Sequence, residues 1–408
     1  MAQEKGSVVG GTLLIAGSCI GAGMLGLPVI SGVAGFFPSL FMFVVAWLFM
    51  TTTALLLVEV NGWFNHKVNL ITMVGDTLGK GGKALCWFTY LFLFYALLVA
   101  YISGIGSLTS TFFKTMLGVN AAPWLGSLFF VILFGWVVYL GTRRVDMCNR
   151  GLMIGKIGFF LLLILVGVQY VQPYLLTRTD PKYSILSLPL LVIAFGFHNM
   201  IPSLVSYLNG DIKRVRLTII GGSLFTFAIY LLWEILVLGI VPFGGPNGLA
   251  ASLKLDREAS QAIAMISGSS SIRVFAQGLA FFAILTSFLA QALSLVHFLS
   301  DGFKISYKKQ ENLGLCLVAL VPPLILALIY PQLFFKALNF AGGICAMILF
   351  GLLPVGMVWI GRQRRGSGTT YQVPGGKATL VAIFAFALVV LFLQLSNMFG
   401  ASYIPQVS

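Results

Sequence analysis

Charge is what this chain has least of. Only 9% of its 408 residues are Asp, Glu, Lys or Arg, where a soluble domain carries about a quarter. Acidic residues number 11 and histidines three, His66, His198 and His297, far apart in sequence. That scarcity excludes a water-exposed globular fold and makes a metal centre improbable. The five cysteines, Cys19, Cys86, Cys148, Cys316 and Cys345, are scattered and form neither a disulfide framework nor a metal cluster. There is no His-Glu-x-x-His, no Gly-x-Ser-x-Gly, no pair of intramembrane aspartates and no Walker motif. A hydrolase and an ATP-driven pump are therefore disfavoured, and no cofactor is expected. No cleavable signal peptide is visible at the N-terminus, so the first apolar run is expected to remain as a membrane span.

Apolar residues fill the space that charge leaves. They make up 59% of the chain, with a mean hydropathy of +0.99. Runs long enough to cross a bilayer, about 20 residues each, fall near 7–30, 36–60, 84–112, 124–142, 150–172, 184–208, 217–241, 272–300, 313–330, 333–360 and 378–399. The expectation is an all-α polytopic membrane protein with eleven spans in one transporter domain, the lipid bilayer being its main partner. The net charge of +14 suggests nucleic acid at first sight, but the positive residues sit in short loops between spans. Seven, Lys114, Arg178, Lys182, Lys254, Arg257, Arg273 and Lys336, fall on one side, and seventeen, among them Lys5, Lys67, Lys308 and Lys309, fall on the other. The positive-inside rule then puts the N-terminus in the cytoplasm and the C-terminus outside, in the periplasm if the membrane is a bacterial inner membrane. Lys156 alone is left inside a span.

Two runs are interrupted. Ile20-Gly21-Ala22-Gly23-Met24-Leu25-Gly26-Leu27-Pro28 places three glycines and a proline in the first. Glycine costs roughly 1 kcal/mol and proline roughly 3 in a helix interior. In lipid no water satisfies the freed backbone groups, so a break there needs protein or a polar cavity around it. A kink with small residues for close packing is the plain alternative. The sixth run repeats the problem at Ala194-Phe195-Gly196-Phe197-His198-Asn199-Met200-Ile201-Pro202. Five spans separate the starts of the two broken segments, so the two halves, 7–172 and 184–360, are expected to have opposite orientations, with 378–399 outside the repeat. This pattern is that of an inverted-repeat secondary transporter.

Three motifs, Gly-x-Gly-Met-Leu-Gly-Leu-Pro in the first run, Leu-Leu-Leu-Val-Glu-Val-Asn at 55–61 and Phe-Gly-Phe-His-Asn-Met-Ile-Pro-Ser-Leu at 195–204, resemble the hydroxy and aromatic amino acid permease family. The likeness covers essentially the whole chain and is nearest to bacterial tyrosine- or tryptophan-specific permeases. It implies the leucine-transporter fold of the amino acid–polyamine–cation superfamily, and import of an aromatic amino acid, tyrosine first, by proton symport. A tryptophan-preferring, broader neutral or sodium-coupled permease is the alternative.

An amino acid is a zwitterion, and the breaks suit it. Its carboxylate fits the amides of Gly21, Ala22 and Gly23, which open a half-helix beyond Ile20. Its ammonium fits carbonyls left free at half-helix ends, those of Ser18, Cys19, Ile193 and Ala194. Phe195 and Phe197 flank Gly196 and are candidates to gate or stack on a ring, and of Tyr90, Tyr95 and Tyr101 the mid-span Tyr95 is favoured as a third contact. His198 and Asn199 are the polar pair placed to read a ring hydroxyl or indole N–H, unless His198 only bonds a freed carbonyl.

Lys156 lies about six residues into the fifth run. In the proton-coupled members that the chain resembles, a lysine of this span sits where sodium-coupled relatives hold the ion, and Thr286-Ser287 in the eighth run match the facing motif. Lys156 is then the proton-exchanging group, with Thr286 and Ser287 as its partners. Alternatively its stem snorkels to the nearby surface, or the two hydroxyls bind sodium. Glu234, deep in the seventh run, is expected to face a cavity or a polar partner. Glu59 is expected to tie a loop. Gln277, Gln291 and His297 are expected to bond between helices. In the longest loop, 242–272, a stretch from Glu258 to Ser267 puts Ala259, Ile263 and Ile266 on one face, giving either a lid or a surface helix. A channel would more usually repeat by symmetry between chains. Here both breaks lie in one chain, and a monomer is the expected unit.

Overall fold

The computed structural model describes residues 6–64, 68–304, 312–365 and 371–398. His66, Lys5, Lys67, Lys308 and Lys309 lie outside the described residues. Among those described, every regular element is helical. Among the described residues, eight helices are long and apolar enough to cross a membrane, or nine when one bent pair counts as a single span. That pair is α1, Val8–Cys19, and α2, Ala22–Ser31, bent by 60°.

The remaining elements follow the apolar runs with informative shifts. They are α3 (Phe36–Asn61), α4 (Leu70–Phe112), α5 (Pro123–Tyr139), α6 (Thr142–Gly167), α7 (Leu188–Ala194), α8 (Ile201–Tyr207) and α9 (Ile212–Ile240). Next come the short α10 (Leu249–Lys254) and α11 (Ala259–Ile266), then α12 (Ser270–Phe303) and α13 (Asn312–Ile329). The tenth run forms α14 (Phe334–Phe340), a π-helical stretch (Ala341–Leu352) and α15 (Leu353–Arg365), and α16 (Gly376–Met398) closes the chain.

α4 starts fourteen residues before the expected 84 because residues 70–78 form a helical segment of their own. Gly79, at φ 78°, breaks the path to the longer part, a conformation glycine adopts without a Cβ clash. α6 starts at Thr142 rather than 150, since Gly141 at φ 95° ends the turn before it. α5 occupies the fourth expected position with only 17 residues. At ~1.5 Å per residue it reaches ~26 Å, a little short of a ~30 Å hydrocarbon layer.

The helices pack in pairs. α1 lies along α9, and α3 lies along α7 and α8. α12 packs on both α6 and α4, and α4 also packs on α14, the π-helical stretch and α15. The two broken segments are thereby enclosed by α3, α4, α6, α9 and α12. At one end α10 and α11 cover the bundle. Ala259 through Ala264 of α11 are all buried, which overturns the surface-helix alternative. Gln261 Oε1 accepts hydrogen bonds from Ser107 and Thr111 of α4, and the Asp256 carboxylate accepts from the amides of Phe334 and Phe335. The loop is strapped to two spans.

Candidate functional site

Backbone bookkeeping explains the centre of the bundle. A helix leaves its last carbonyls and first amides without internal partners, and at this depth each must find one. α1 ends at Cys19 and α7 at Ala194, and both terminal carbonyls accept from the hydroxyl of Tyr230, each at 2.7 Å. One phenolic proton is thus shared between the two breaks, from a fully buried side chain on α9. The Ile20 carbonyl accepts from Lys156 Nζ at 2.5 Å. The Ala22 amide, at the start of α2, donates to Ser287 Oγ at 3.0 Å.

Pro28 belongs to the same bookkeeping. It lies inside α2 rather than in the break. Its missing N–H frees the Met24 carbonyl one turn back, and Trp233 Nε1 donates to that carbonyl at 2.9 Å. The break itself is Ile20-Gly21. A Cβ on Gly21 would stand 2.4 Å from Ser287 Oγ, so glycine is required by the close approach of α12. The second break is Phe195-Gly196-Phe197, followed by a single 3₁₀ turn, His198–Met200, before α8.

The two breaks open on one cavity of about 410 Å³, within the range of small-molecule sites. Ser18, Cys19, Gly21, Ala22 and Gly23 line it from the first break, and Ile193, Ala194 and Asn199 from the second. Lys156, Thr286 and Ser287 line it from α6 and α12. Eleven residues singled out from the sequence therefore meet in one place. A second cavity of about 720 Å³ adjoins it, sharing Asn199 and Ser294. It is lined by Val68 and Asn69 before α4, by Leu70, Ile71 and Met73 at its start, and by Ser206 and Tyr207 at the end of α8. The site therefore communicates with the end of the bundle opposite α10 and α11.

Several assignments need correction. Lys156 is 2% exposed and does not snorkel. The freed Ile20 carbonyl draws its ammonium inward, and Thr286 Oγ1 is a longer contact at 3.5 Å. Ser287, expected as a partner of Lys156, instead holds the Ala22 amide. That amide is consequently occupied, leaving Gly21 and Gly23 as the carboxylate candidates. Of the ammonium candidates, Cys19 and Ala194 already accept from Tyr230, and Ile193 accepts from the Gly196 amide at 3.0 Å.

Phe195 and Phe197 line neither cavity. Phe195 is buried edge-on against Tyr230 at 5.1 Å between centroids, and Phe197 is 1% exposed beside His198. The tight turn around Gly196 points both rings into packing. Tyr95 faces the other way along α4 and donates to the Val318 carbonyl on α13. Tyr101 and Tyr90, on other turns of α4, line the first and second cavities instead. His198 is bonded to Thr53 at 2.8 Å and stacked on Phe350 at 4.6 Å. It borders the second cavity but not the first. Asn199 reaches both cavities, and its Oδ1 accepts from the Tyr90 hydroxyl at 2.7 Å.

Tyr230 is the residue that sequence reasoning passed over. Its signal was a hydroxyl four residues before Glu234, on one face of the seventh span. Glu234 lies on that face and accepts from Ser31 Oγ of α2 at 2.8 Å. With Trp233, the α9 face grips both halves of the first broken segment. Glu59 is engaged elsewhere. Arg362 forks onto it at 2.7 and 2.8 Å, and the Val373 amide donates to it as well, so it ties α3 to α15 and the segment that follows. No group of three or more His, Cys, Asp or Glu that could hold a metal is gathered among the described residues.

The model of the tryptophan/tyrosine permease family matches residues 4–394. A protein named tyrosine-specific transport system 1, from Haemophilus influenzae, is 34% identical over 404 residues, covering 97% of this chain and 98% of the relative. A tryptophan-specific transport protein of the same organism is 29% identical over 98% of each chain. A low affinity tryptophan permease of Escherichia coli K12 is 27% identical, again over 98% of each. The chain belongs to the tryptophan/tyrosine permease family, whose members are transporters rather than enzymes.

Proposed function

We propose that the chain is a secondary active importer of aromatic amino acids across a bacterial inner membrane, driven by proton symport. The observation that carries this reading is the meeting of both breaks and Lys156 on one cavity. The names of the relatives supply the substrate class: tyrosine for one, tryptophan for others.

The carboxylate of the substrate binds at the Gly21 and Gly23 amides, where the N-terminal end of α2 adds favourable potential. Its ammonium binds the carbonyls of Ser18 and Cys19, the latter through the lone pair that Tyr230 leaves free. The packing of α1 on α9 and of α3 on α7 and α8 supports the inverted repeat, because a shift of five spans converts the pair one–seven into the pair six–two. The pairs five–eight and ten–three correspond in the same way. The positive-inside reading makes the end bearing residues 68–73 cytoplasmic. With α10 and α11 over the other end, the molecule is in an inward-open state. The alternating access of the repeat supplies the outward one.

Coupling follows from the Lys156–Ile20 bond. Ile20 sits at the pivot between α1 and α2. Any tilt of α1 shifts that carbonyl relative to Lys156 and so links the tilt to whether the amine carries a proton. Sodium is the competing ion. The ammonium stands beside the Ile20 carbonyl and Thr286, the oxygens a sodium ion would need, and Ser287 is already engaged. Reconstituted protein in vesicles, given proton and sodium gradients separately, tests this. Uptake of labelled tyrosine is expected to follow the proton gradient and to lose that response in Lys156→Gln. A response to sodium alone would overturn the lysine mechanism.

A further inference from the structure

A third cavity lies apart from the two described and shares no lining residue with either. It stands at the α10–α11 end of the bundle and holds about 440 Å³. Its wall comes from α2, α7 and the 3₁₀ segment Pro181–Ser187 before it, and from α10, α14 and α16. Val390, Leu393, Gln394 and Asn397 of α16 line it, and their spacing puts them on one face of that helix. Gln394 is 8% exposed. Its stem lies on Gly343 of the π-helical stretch, where an added Cβ would stand 2.6 Å from Cγ, so the side chain is fixed beside the cavity. Asn339 of α14 is a third amide in the wall. The Oδ1 atoms of Asn339 and Asn397 are buried and have no hydrogen-bond partner among the described residues. An unpaired buried amide end costs free energy whichever way the amide is turned. Three such side chains in one cavity of a membrane protein call for a ligand with both donors and acceptors.

We infer that this cavity is a binding site for a phospholipid of the leaflet at that end, one whose head group carries hydrogen-bond donors. Among the described residues, Lys182 is the one charged side chain that lines it. Asp180 stands 3.8 Å from Lys182, and both are partly exposed, a weak pair that leaves the ammonium able to take a phosphate. An ethanolamine ammonium or a glycerol hydroxyl of the head group then meets the amides. The wall is graded. Asn397 stands ~10 Å from Val390 along α16, and Val390, Leu188, Pro189 and Ile30 make most of the remainder apolar. Water would satisfy the amides but leave that surface hydrated, whereas an acyl chain covers it. The volume takes a head group and the first carbons of a chain, so the rest of the lipid runs out past the exposed Ile185. Ile30 belongs to α2 and Leu188 and Pro189 to α7. A lipid in this place therefore fastens α16, outside the expected repeat, to both broken segments.

The test uses the full chain in detergent and native mass spectrometry with one phospholipid added at a time. Phosphatidylethanolamine and phosphatidylglycerol carry head-group donors, and phosphatidylcholine carries none. The wild type is expected to retain one molecule of either of the first two over phosphatidylcholine by roughly three- to tenfold, the yield of one neutral hydrogen bond. The double variant Gln394→Met with Asn397→Leu keeps side-chain size and should remove that preference. Lys182→Gln should weaken retention of all three lipids alike. Phe392→Ala, on the far face of α16 where Phe392 is 69% exposed, should keep the preference, which separates loss of the site from general damage to the helix. Glycerophosphoethanolamine, the head group without chains, should not displace the lipid. Equal retention of phosphatidylcholine, a preference unmoved by the double variant, retention unmoved by Lys182→Gln, or a preference lost in Phe392→Ala would each overturn the inference. Displacement by the chainless head group would overturn it too, by making the cavity a site for a soluble polar ligand.

Discussion

The two breaks solve the same backbone problem with different materials. At the first, the freed groups are held by polar side chains from three other helices: Tyr230 of α9 at Cys19, Lys156 of α6 at Ile20, and Ser287 of α12 at Ala22. At the second, Tyr230 takes the Ala194 carbonyl and a short 3₁₀ turn absorbs others locally. Rings do the rest, with Phe195 against Tyr230 and His198 against Phe350. A break held by proton-bearing side chains responds to charge and to a zwitterion. A break held by packed rings is a matter of shape. In the proposed mechanism the common part of the substrate and the coupling group belong to the first, and the choice among side chains to the edge of the second.

That contrast can be broken by experiment, and the largest effect should come from the first break. A Cβ on Gly23 would meet Ala194 at 3.8 and 3.9 Å, an ordinary contact, so Gly23→Ala should transport. Gly23→Leu fills the cavity beside the carboxylate position. Uptake of every substrate is expected to fall on the order of a hundredfold or more. A loss confined to one substrate would move the shared anchor elsewhere.

A smaller effect is expected from His198, which the sequence pattern nominated as a reader of the ring. Its bond to Thr53 and its stack on Phe350 make it a structural member of the second break. His198→Ala should lower the melting temperature in detergent by a few degrees, consistent with about 1–3 kcal/mol for a lost buried hydrogen bond. The tyrosine-to-phenylalanine ratio should stay as in the wild type. A changed ratio at normal stability would return His198 to the ring site.

The smallest effect concerns the covering loop. Burial raises the Asp256 carboxyl to about 6, opposed by the Phe335 and Phe334 amides and by Lys336. Burial likewise raises Glu258 to about 7, against the bonds from Ser260 and Gln261. Both groups return toward ordinary carboxylate values when the loop lifts into water. The closed loop therefore binds protons more tightly than the lifted one. It is most favoured below about pH 4, where both groups are protonated whether the loop is closed or lifted, and loses that advantage as the pH rises from there through about 6 to 7. Hydrogen exchange over residues 249–266, corrected for its intrinsic pH dependence, should be faster at high pH. The opposite trend would show that the amide bonds outweigh burial.

Much of this was legible in the chain. Scarce charge and long apolar runs dictate membrane helices, because unsatisfied backbone cannot cross lipid in any other open form. Glycine and proline in the first and sixth runs marked where the helices stop, and the need to satisfy freed groups marked those places as a site. Lys156 stood out as a charge among apolar residues. Which way side chains point was not legible. A turn at Gly196 sends Phe195 and Phe197 into packing, and Tyr90 and Tyr101, five and six residues from Tyr95 along α4, stand on a different face of the helix. Tyr230 looked like one aromatic among many, since only the folded chain brings Cys19 and Ala194 to its hydroxyl.

The sequence by itself determined the solvent, the helices and the places where they fail, since those follow from local propensity and from the cost of burying polar backbone. Tertiary structure alone decided the partners of the freed groups: Lys156 on Ile20, Ser287 on Ala22, Tyr230 across both breaks and Tyr90 on Asn199. The physical reason is reach. A hydrogen bond at 2.5–3.0 Å is fixed by the positions of helices that are distant in sequence, and no local pattern carries that distance.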